Sequence, residues 1–301
     1  MSQYTPIPTR HLRDTPVPAL FLGDHGFNSK FGSTLTDDQV RLRMQYAIQR
    51  SNIGLACGDG RLLRLARDAE EAARAPLTLL YHTDIPVQGG GGRLGYGPCG
   101  STLRACMESR QLSPLEDPVL SYLVDFDPRD ALTGDRLRAL TLCAAGLELL
   151  ATNIATHRPS VVSVGGDWLD MLLLAGLEEL AMEGLAAIGD ITASFGAGLI
   201  VTLYVGAVVD FVLPRGAIGI LVPFNQSGAA MLPDRATAIE WMERAGYDFL
   251  GMHLLGGAPA PRTALMKAGV ATPELIVSAI VGASRPTSIA ALLDAASDLW
   301  R

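Results

Sequence analysis

Lysine is almost absent from this chain of 301 residues, which contains only Lys30 and Lys267. Arginine therefore supplies nearly all of the positive charge, and the formal net charge is −7. Acidic and basic residues are interspersed, without a basic stripe of the kind that binds nucleic acid. The composition argues against a nucleic-acid partner, and any mechanism that needs a buried lysine has only these two candidates.

Paired cysteines are missing as well. The four cysteines, at positions 57, 99, 106 and 143, form no CxxC pair and no zinc-ligand spacing. We expect them to be reduced and mostly packed, as in a cytoplasmic protein. Cys57 lies near the end of a strand-like run and is a candidate nucleophile, although a free cysteine more often packs as a small apolar residue.

The chain also lacks long apolar segments. Its first residues contain no apolar core of a signal peptide. The longest apolar stretch, residues 198–209, is shorter than the roughly 18 residues that a membrane-spanning helix requires. We therefore expect a cytoplasmic protein without a membrane partner, and the sequence leaves open whether it forms a homo-oligomer.

Strand-like and helix-like patterns alternate along the chain, which predicts βα units and a parallel sheet. Nine runs are typical of strands: 18–24, 53–58, 76–83, 119–126, 160–166, 185–191, 217–224, 248–257 and 275–283. Residues 198–213 are predicted as a helix, with a strand as the alternative because of their β-branched content. Nine is one more than a closed barrel needs, so one run is wrong or lies outside it.

We predict an α/β fold, a single-domain (β/α)8 barrel of the TIM type over residues 17–301. Residues 1–16 are rich in proline and threonine and form an N-terminal arm or cap. Short connections between the runs favour a barrel over an open doubly wound sheet, which is the alternative.

Acidic and histidine residues stand at the end of nearly every strand-like run. They are Asp24, His25, Asp59, His82, Asp84, Asp125, Asp127, Asp167, Asp190 and His253. In a parallel barrel these ends converge on the face where such barrels carry out their chemistry. The pattern indicates an enzyme more clearly than it indicates which one.

The chemistry that these residues favour is acid–base catalysis. His82 and His253 are the candidate acid and base, because histidine titrates near neutral pH. Asp84, Asp125 and Asp190 would orient them or hold a divalent metal ion, which needs converging carboxylates and imidazoles. No HxH or HExxH spacing supports the metal, and an aspartate at a strand end often only caps the next helix, as we expect for Asp167.

Three further residues are candidates for substrate contact. His25 follows the first strand-like run, and Tyr96 lies in the glycine-rich segment 88–100, which we interpret as a loop over the barrel mouth. This segment formally fits GxGxxG but does not join a strand to a helix, so it is a poor nucleotide fingerprint. Asn225 follows the run 217–224, where it would orient a carbonyl or simply form a turn.

Glycines after the last two runs predict an anion site. Gly256 and Gly257 follow one run, and Gly282, Ser284 and Arg285 follow the next. Many barrels bind phosphate at these two loops, because glycine lets backbone N–H groups approach an anion and the following helix adds partial positive charge. The alternative is that the glycines only form tight turns and that Arg285 is solvated.

The C-terminal part of the chain resembles the aldo-keto reductase superfamily. GLEELAMEGLAAIGDITAS is similar to a helix and strand of that family, and IGILVPFN, FLGMHLLGGA and SAIVGASRPTSIAAL are similar to its last three strands. The resemblance covers residues 176–301 and implies a TIM barrel. It also implies a nicotinamide cofactor such as NADP, with a phosphate held by residues 282–285.

The catalytic Asp, Tyr, Lys and His of that family do not carry over. His82 or Asp125 stands where the lysine is expected, and Asp125 or Gly166 stands where the histidine is expected. Tyr96 matches the tyrosine in one alignment, but it would lack the neighbouring cation that lowers its pKa. The resemblance therefore implies a related fold with changed chemistry.

These observations lead to one preferred hypothesis and two alternatives. The preferred one is a small-molecule enzyme of the lyase or isomerase type, using His and Asp next to a carbonyl, metal-assisted or not. The first alternative is an NADPH-dependent reductase with altered catalytic residues. The second is a non-catalytic binding protein built on a barrel.

Overall fold

The structure is a computed structural model. It describes residues 6–28, 33–83, 144–165, 167–174, 178–225, 228, 231–252, 254 and 275–299. In it, eight parallel strands form a closed barrel: β3 (Leu20–Gly23), β4 (Gly54–Cys57), β5 (Leu79–Thr83), β6 (Val161–Gly165), β7 (Gly198–Thr202), β8 (Ala217–Pro223), β9 (Phe249–Met252) and β10 (Ile276–Gly282). The sheet closes where β10 pairs with β3. The predicted (β/α)8 barrel of the TIM type is confirmed.

Side chains alternate between the two faces of the barrel wall. One set of buried residues fills the interior, including Phe21, Leu80, Val161, Ile200 and Leu250. The residues between them pack outward against the helices in a second, larger cluster. The alternation follows from the two-residue repeat of a strand, and it explains why the strands read as continuous apolar runs.

The described helices surround this wall. They are α1 (Asp37–Arg50), α2 (Gly60–Ala73), α3 (Ala144–His157), α4 (Asp167–Leu174), α5 (Glu178–Ser194), α6 (Gly206–Val209), α7 (Arg235–Ala245) and α8 (Pro286–Leu299). Thr36 begins α1 with a capping box, its hydroxyl accepting from the Gln39 N–H while the Gln39 side chain accepts from the Thr36 N–H. Within the described ranges, none of the helices combines the length and apolar character needed to cross a membrane.

A hairpin closes the amino-terminal end of the barrel. It consists of β1 (Thr9–Leu12) and β2 (Thr15–Pro18), paired antiparallel. Leu12 is fully buried and, with Val17, joins the interior cluster. The Arg10 guanidinium donates to the carbonyls of Ile276 and Val277 at 2.9 and 3.0 Å, where β10 begins. The hairpin does not cover the opposite, carboxyl-terminal end of the barrel, where the candidate site lies.

Two of the predicted elements are wrong. Residues 185–191 are not a strand but part of α5, whose buried residues recur at helical spacing at Ala181, Leu185 and Ile188. Residues 198–213 are not a long helix, because Gly198–Thr202 is strand β7. The predicted run 119–126 lies outside the described residues, and the barrel closes without it because β5 pairs directly with β6.

Candidate functional site

Charged and imidazole groups meet at the carboxyl-terminal ends of three neighbouring strands. Asp24 and His25 directly follow β3, Asp59 lies just beyond β4, and His82 is the penultimate residue of β5. Asp24 interacts electrostatically with both His25 and His82. Asp24, His25 and His82 therefore lie near one another at this part of the barrel mouth.

Asp24 is held by the loop that follows β4. Its Oδ2 atom accepts a hydrogen bond from the Gly58 N–H at 2.7 Å. A Cβ atom at position 58 would lie only 2.8 Å from that same oxygen. Glycine is therefore required at position 58 if the carboxylate is to approach the backbone this closely.

Asp59 has a different role, although it looks equivalent in the sequence. Its Oδ1 accepts from the Leu62 N–H at 2.8 Å and caps the N-terminus of α2. Its Oδ2 accepts from Nδ2 of the buried Asn28 at 3.3 Å. We infer that Asp59 fixes the loop beside Asp24 rather than taking part in chemistry.

Burial shifts the pKa values of this group. Loss of solvent raises the pKa of Asp24 above the usual aspartate range, and the Gly58 N–H and the two histidines only partly oppose this. His25 is open to solvent on one side, but the surrounding protein lowers its pKa, and Asp24 opposes that shift. A carboxyl group that protonates more readily is suited to proton transfer.

His82 points into the barrel. It lies two residues after Leu80, which belongs to the interior cluster, so the two side chains share a face. The side chain is half-buried, and its Nδ1 atom is buried without a hydrogen-bond partner among the described residues. The Nδ1 side of the imidazole is therefore enclosed by protein. The titratable groups that interact with it electrostatically are Asp24 and His25.

Several functional-looking groups escaped prediction. Ser163 and Thr202, on β6 and β7, form a buried hydroxyl pair with 2.6 Å between their oxygens. Asp170, on α4, is 1% exposed, and its carboxylate accepts from the N–H groups of Tyr204 and Val205 at 3.0 to 3.2 Å. The polar serine within VVSVG is the only signal for the first; nothing local signals the second.

The predicted anion site is only partly described. Gly256 and Gly257 lie outside the described residues. Gly282 and Arg285 are exposed, and a Cβ on Gly282 would meet nothing within 4 Å. The Ser284 carbonyl accepts from the Arg43 guanidinium at 2.6 Å. Because Gly282 is open and Arg285 is exposed, both are accessible, and the anion site stays a prediction.

The remaining predicted residues are distributed as follows. His253, Asp84, Asp125 and Tyr96 lie outside the described residues, as does Asp127, and the side chain of Asp167 is not described. Asn225 is buried at the end of β8, and its carbonyl accepts from the Arg235 side chain at 3.2 Å. Asp190 is exposed on α5 instead of following a strand, so its expected place at a strand end is wrong.

Cys57 does not have the properties of a nucleophile. It is fully buried at the end of β4. Burial raises the pKa of its thiol well above the ordinary value, and the carboxylates of Asp24 and Asp59 raise it further. The thiol stays protonated and packs as a small apolar group.

A metal centre has no geometric support in the described part of the chain. Among those residues, no three His, Cys, Asp or Glu side chains come together in a way that would hold an ion. Two of the residues proposed as ligands, Asp84 and Asp125, are not among them.

Comparison with known proteins places the fold. No protein-family model matches the chain, and no curated protein matches it in sequence. Two solved structures of candidate aldo-keto reductases from Pseudomonas aeruginosa superpose on it. One has a TM-score of 0.57 and 16% identity, covering 97% of this chain and 95% of that one. For the other the values are 0.57 and 15%, covering 98% and 94%.

The likeness at this level of identity concerns the fold alone. The chain has an aldo-keto reductase-like TIM barrel, as its sequence resemblance implied.

Proposed function

We propose that this protein is a small-molecule enzyme of the isomerase or lyase type, in which Asp24 and His82 move protons next to a carbonyl group. The observation that carries the proposal is the meeting of Asp24, His25 and His82 at the barrel mouth. Barrels of this type place their chemistry at this end of the strands. The carboxyl of raised pKa and the imidazole of His82 are suited to act as a base and an acid together.

The proposed step needs no oxidant. Ionised Asp24 takes a proton from the carbon next to the substrate carbonyl, and the electron pair of the C–H bond moves to the carbonyl oxygen. His82 donates a proton to that oxygen, which gives an enol. If that carbon carries a hydroxyl, the hydroxyl gives up its proton while a proton is added to the former carbonyl carbon, which completes an isomerisation. If the next carbon carries a leaving group, the enol O–H returns its proton to His82, the carbonyl reforms, and the leaving group departs with the electron pair of its bond, which completes an elimination. His25, at the open side, would contact the substrate.

Proton exchange tests this proposal before any substrate is known. We would incubate the protein in D2O with hydroxyaldehydes, hydroxyketones and 2-oxo acids and detect deuterium next to the carbonyl by mass spectrometry. Asp24→Asn and His82→Asn should each lower the exchange rate roughly 100-fold, the usual contribution of a positioned acid or base. His11→Asn is the matched control, because His11 is exposed on the hairpin at the other end of the barrel.

The proposal fails if no compound exchanges above the uncatalysed rate. It also fails if both Asn variants fold and exchange at the rate of the unchanged protein. If His11→Asn also lost exchange, the slower exchange of the other variants would reflect general disruption of the protein.

A second candidate function is an NADPH-dependent reduction. It is favoured by the aldo-keto reductase-like fold together with the open surface at Gly282 and Arg285. Bound there, the cofactor would supply hydride, and Arg285 would bind its phosphate with charge-assisted hydrogen bonds. In this function, His82 or Asp125 would stand where the family has its lysine.

Cofactor titration separates the two functions. NADPH fluorescence would report binding, and loss of NADPH absorbance with a carbonyl substrate would report reduction. If Arg285 binds the phosphate, Arg285→Ala should weaken binding by about 1–3 kcal/mol, the scale of a hydrogen bond to a charged group. Arg215→Ala is the control, because Arg215 is exposed before β8, at the opposite end of the barrel. Absence of binding would leave the acid–base function alone.

A further inference from the structure

A layer of polar side chains crosses the barrel interior beneath the mouth. His82, Ser163 and Thr202 lie on the adjacent strands β5, β6 and β7. Each lies two residues beyond an interior apolar residue, and those residues are Leu80, Val161 and Ile200. Side chains two apart on a strand share a face, so all three polar groups point inward.

His82 and Ser163 are direct neighbours on adjacent strands of this layer. Their Cα atoms are direct partners in the parallel register of β5 and β6, and neighbouring strands lie about 4.8 Å apart. Ser163 in turn meets Thr202, with 2.6 Å between the hydroxyl oxygens. The order across the wall is therefore imidazole, hydroxyl, hydroxyl.

The hydrogen bonds of this layer are incomplete within the described residues. Ser163 and Thr202 are 0% and 1% exposed, and their only side-chain hydrogen bond there joins the two hydroxyls. That bond uses one of their two hydroxyl hydrogens. On the adjacent strand, the buried Nδ1 of His82 has no hydrogen-bond partner in the part of the chain that the structure describes. Buried polar groups are nearly always hydrogen-bonded. The remaining hydroxyl hydrogen of the Ser163–Thr202 pair and the Nδ1 atom of His82 are therefore suited to form a hydrogen bond with each other.

We propose that Ser163, oriented by Thr202, is a positioning residue that hydrogen-bonds Nδ1 of His82, after a rotation of its side chain or through one water molecule. The bond would fix which ring nitrogen carries the proton, and so set Nε2 as the nitrogen offered to the substrate. A hydroxyl both donates and accepts, so the pair can follow His82 between its acid and base forms. The role in catalysis rests on the function proposed above; the hydrogen bond itself does not.

Nitrogen-15 NMR of the full-length protein labelled at histidine tests this link without a substrate. The His82 resonances are identified by their loss in His82→Asn. In the unchanged protein, we expect the two ring nitrogens of His82 to have well-separated shifts, as one tautomer predominates. In Ser163→Ala and in Thr202→Val, the two shifts should move toward each other as the tautomers mix, and Thr202→Ser should restore them.

Ser278→Ala is the matched control. Ser278 is also a fully buried serine on a barrel strand, but its hydroxyl donates to the Pro18 carbonyl at 2.7 Å near the closed end. Its loss should destabilise the barrel yet leave the His82 shifts unchanged. If Ser163 had only a structural role, Ser163→Ala and Ser278→Ala would change the His82 shifts by the same amount. That result would overturn the proposal.

The proposal is also overturned if Ser163→Ala and Thr202→Val both leave the His82 shifts at their original values. If Ser163→Ala does not fold, Thr202→Val and its comparison with Thr202→Ser decide the matter alone. Failure of the proposed function is a separate result: His82→Asn would then keep the original deuterium exchange rate, whatever the NMR shifts show.

Discussion

Two aspartates at neighbouring strand ends acquire different roles from the atoms that they meet. Asp59 accepts from a helix N-terminus and from an amide, and these two hydrogen bonds hold its side chain in place. Asp24 accepts from the Gly58 N–H and from the Asn28 side chain, but its dominant influence is desolvation, beside two imidazoles. The raised pKa of Asp24 means that its ionised form is held at a cost in stability, which is common at functional sites.

Removal of the Asp24 charge should stabilise the fold. The folded pKa of Asp24 is raised, so as pH rises from the unfolded aspartate pKa of about 3.9, the unfolded chain ionises first and stability falls. Above the folded pKa this loss is constant. We expect Asp24→Asn to be more stable near neutral pH by about 0.5–2 kcal/mol, as measured by urea unfolding, and to be no more stable near pH 3.

Asp14→Asn provides the comparison for that prediction. Asp14 is exposed in the turn of the hairpin, so loss of its charge should change stability little at either pH. A lower stability of Asp24→Asn at neutral pH would show that the carboxylate stabilises the loops around it, and the desolvation argument would be wrong.

The sequence identified residue types at this mouth better than it identified their roles. His82 and His25 were predicted because they close or follow an apolar run, and the structure places them beside Asp24. Asp170 and Thr202 could not be found this way, because each acts on a residue from another element. Local spacing carries no information about such partners.

At the scale of elements, the loop between β4 and α2 positions the candidate base. Gly58 lets the backbone N–H reach the Asp24 carboxylate, and Asp59 caps the helix that begins two residues after Gly58. The first and last βα loops also approach closely, since a Cβ on Gly26 would lie 2.2 Å from the Cβ of Ser284. The mouth is thus assembled by contacts between loops that follow different strands.

Gly58→Ala should impair chemistry more than folding. The added Cβ would lie 2.8 Å from Oδ2 of Asp24, and that oxygen is the free end of a side chain that can rotate away. The fold then survives while the carboxylate is displaced, and a displacement of about 1 Å can cost on the order of 100-fold in rate. Deuterium exchange, scored alongside urea unfolding, would measure both effects.

Gly189→Ala is the control for this substitution. Gly189 lies within α5, and a Cβ there meets only Leu199 Cδ2 at an ordinary 3.7 Å. Exchange should be unchanged, and stability should rise by about 0.5–1 kcal/mol because alanine favours a helix. Unchanged exchange in Gly58→Ala would mean that Asp24 does not need its bond to the loop.

The two misassigned elements have a common cause. Residues 185–191 contain an apolar run ended by Gly-Asp, which is typical of a strand before a turn, yet helix α5 continues through them to Ser194. Gly184 is of the residue type that often ends a helix, but it is buried within α5. A strand at 185–191 predicts a helix after it, so the sequence favours a helix over 198–213, although Gly198–Thr202 is a strand, the alternative for this segment. Burial in the folded protein determines the structure of both segments, and a short stretch of sequence does not reveal that burial.

At the scale of the molecule, stability and chemistry lie at opposite ends of the barrel. The hairpin closes one end with apolar side chains and with the Arg10 hydrogen bonds to β10, whereas the titratable groups gather at the other. This separation is typical of TIM barrels, in which the amino-terminal face serves stability and the carboxyl-terminal face carries the site. Changes at the hairpin should therefore alter the free energy of unfolding without altering the site.

Leu12→Ala tests this division. Leu12 is fully buried in the interior cluster beneath the strands, so its truncation should cost about 2–5 kcal/mol of unfolding free energy through lost burial and a residual cavity. Leu42→Ala, on the outer face of α1 with 54% of the side chain exposed, should change stability by no more than about 0.5 kcal/mol. Urea unfolding gives both values.

Under conditions where Leu12→Ala remains folded, its His82 nitrogen shifts and its deuterium exchange rate should match those of the unchanged protein. A shift of the His82 resonances in Leu12→Ala would show that packing at the closed end is transmitted along the barrel interior to the mouth, and the two ends could not then be treated as independent.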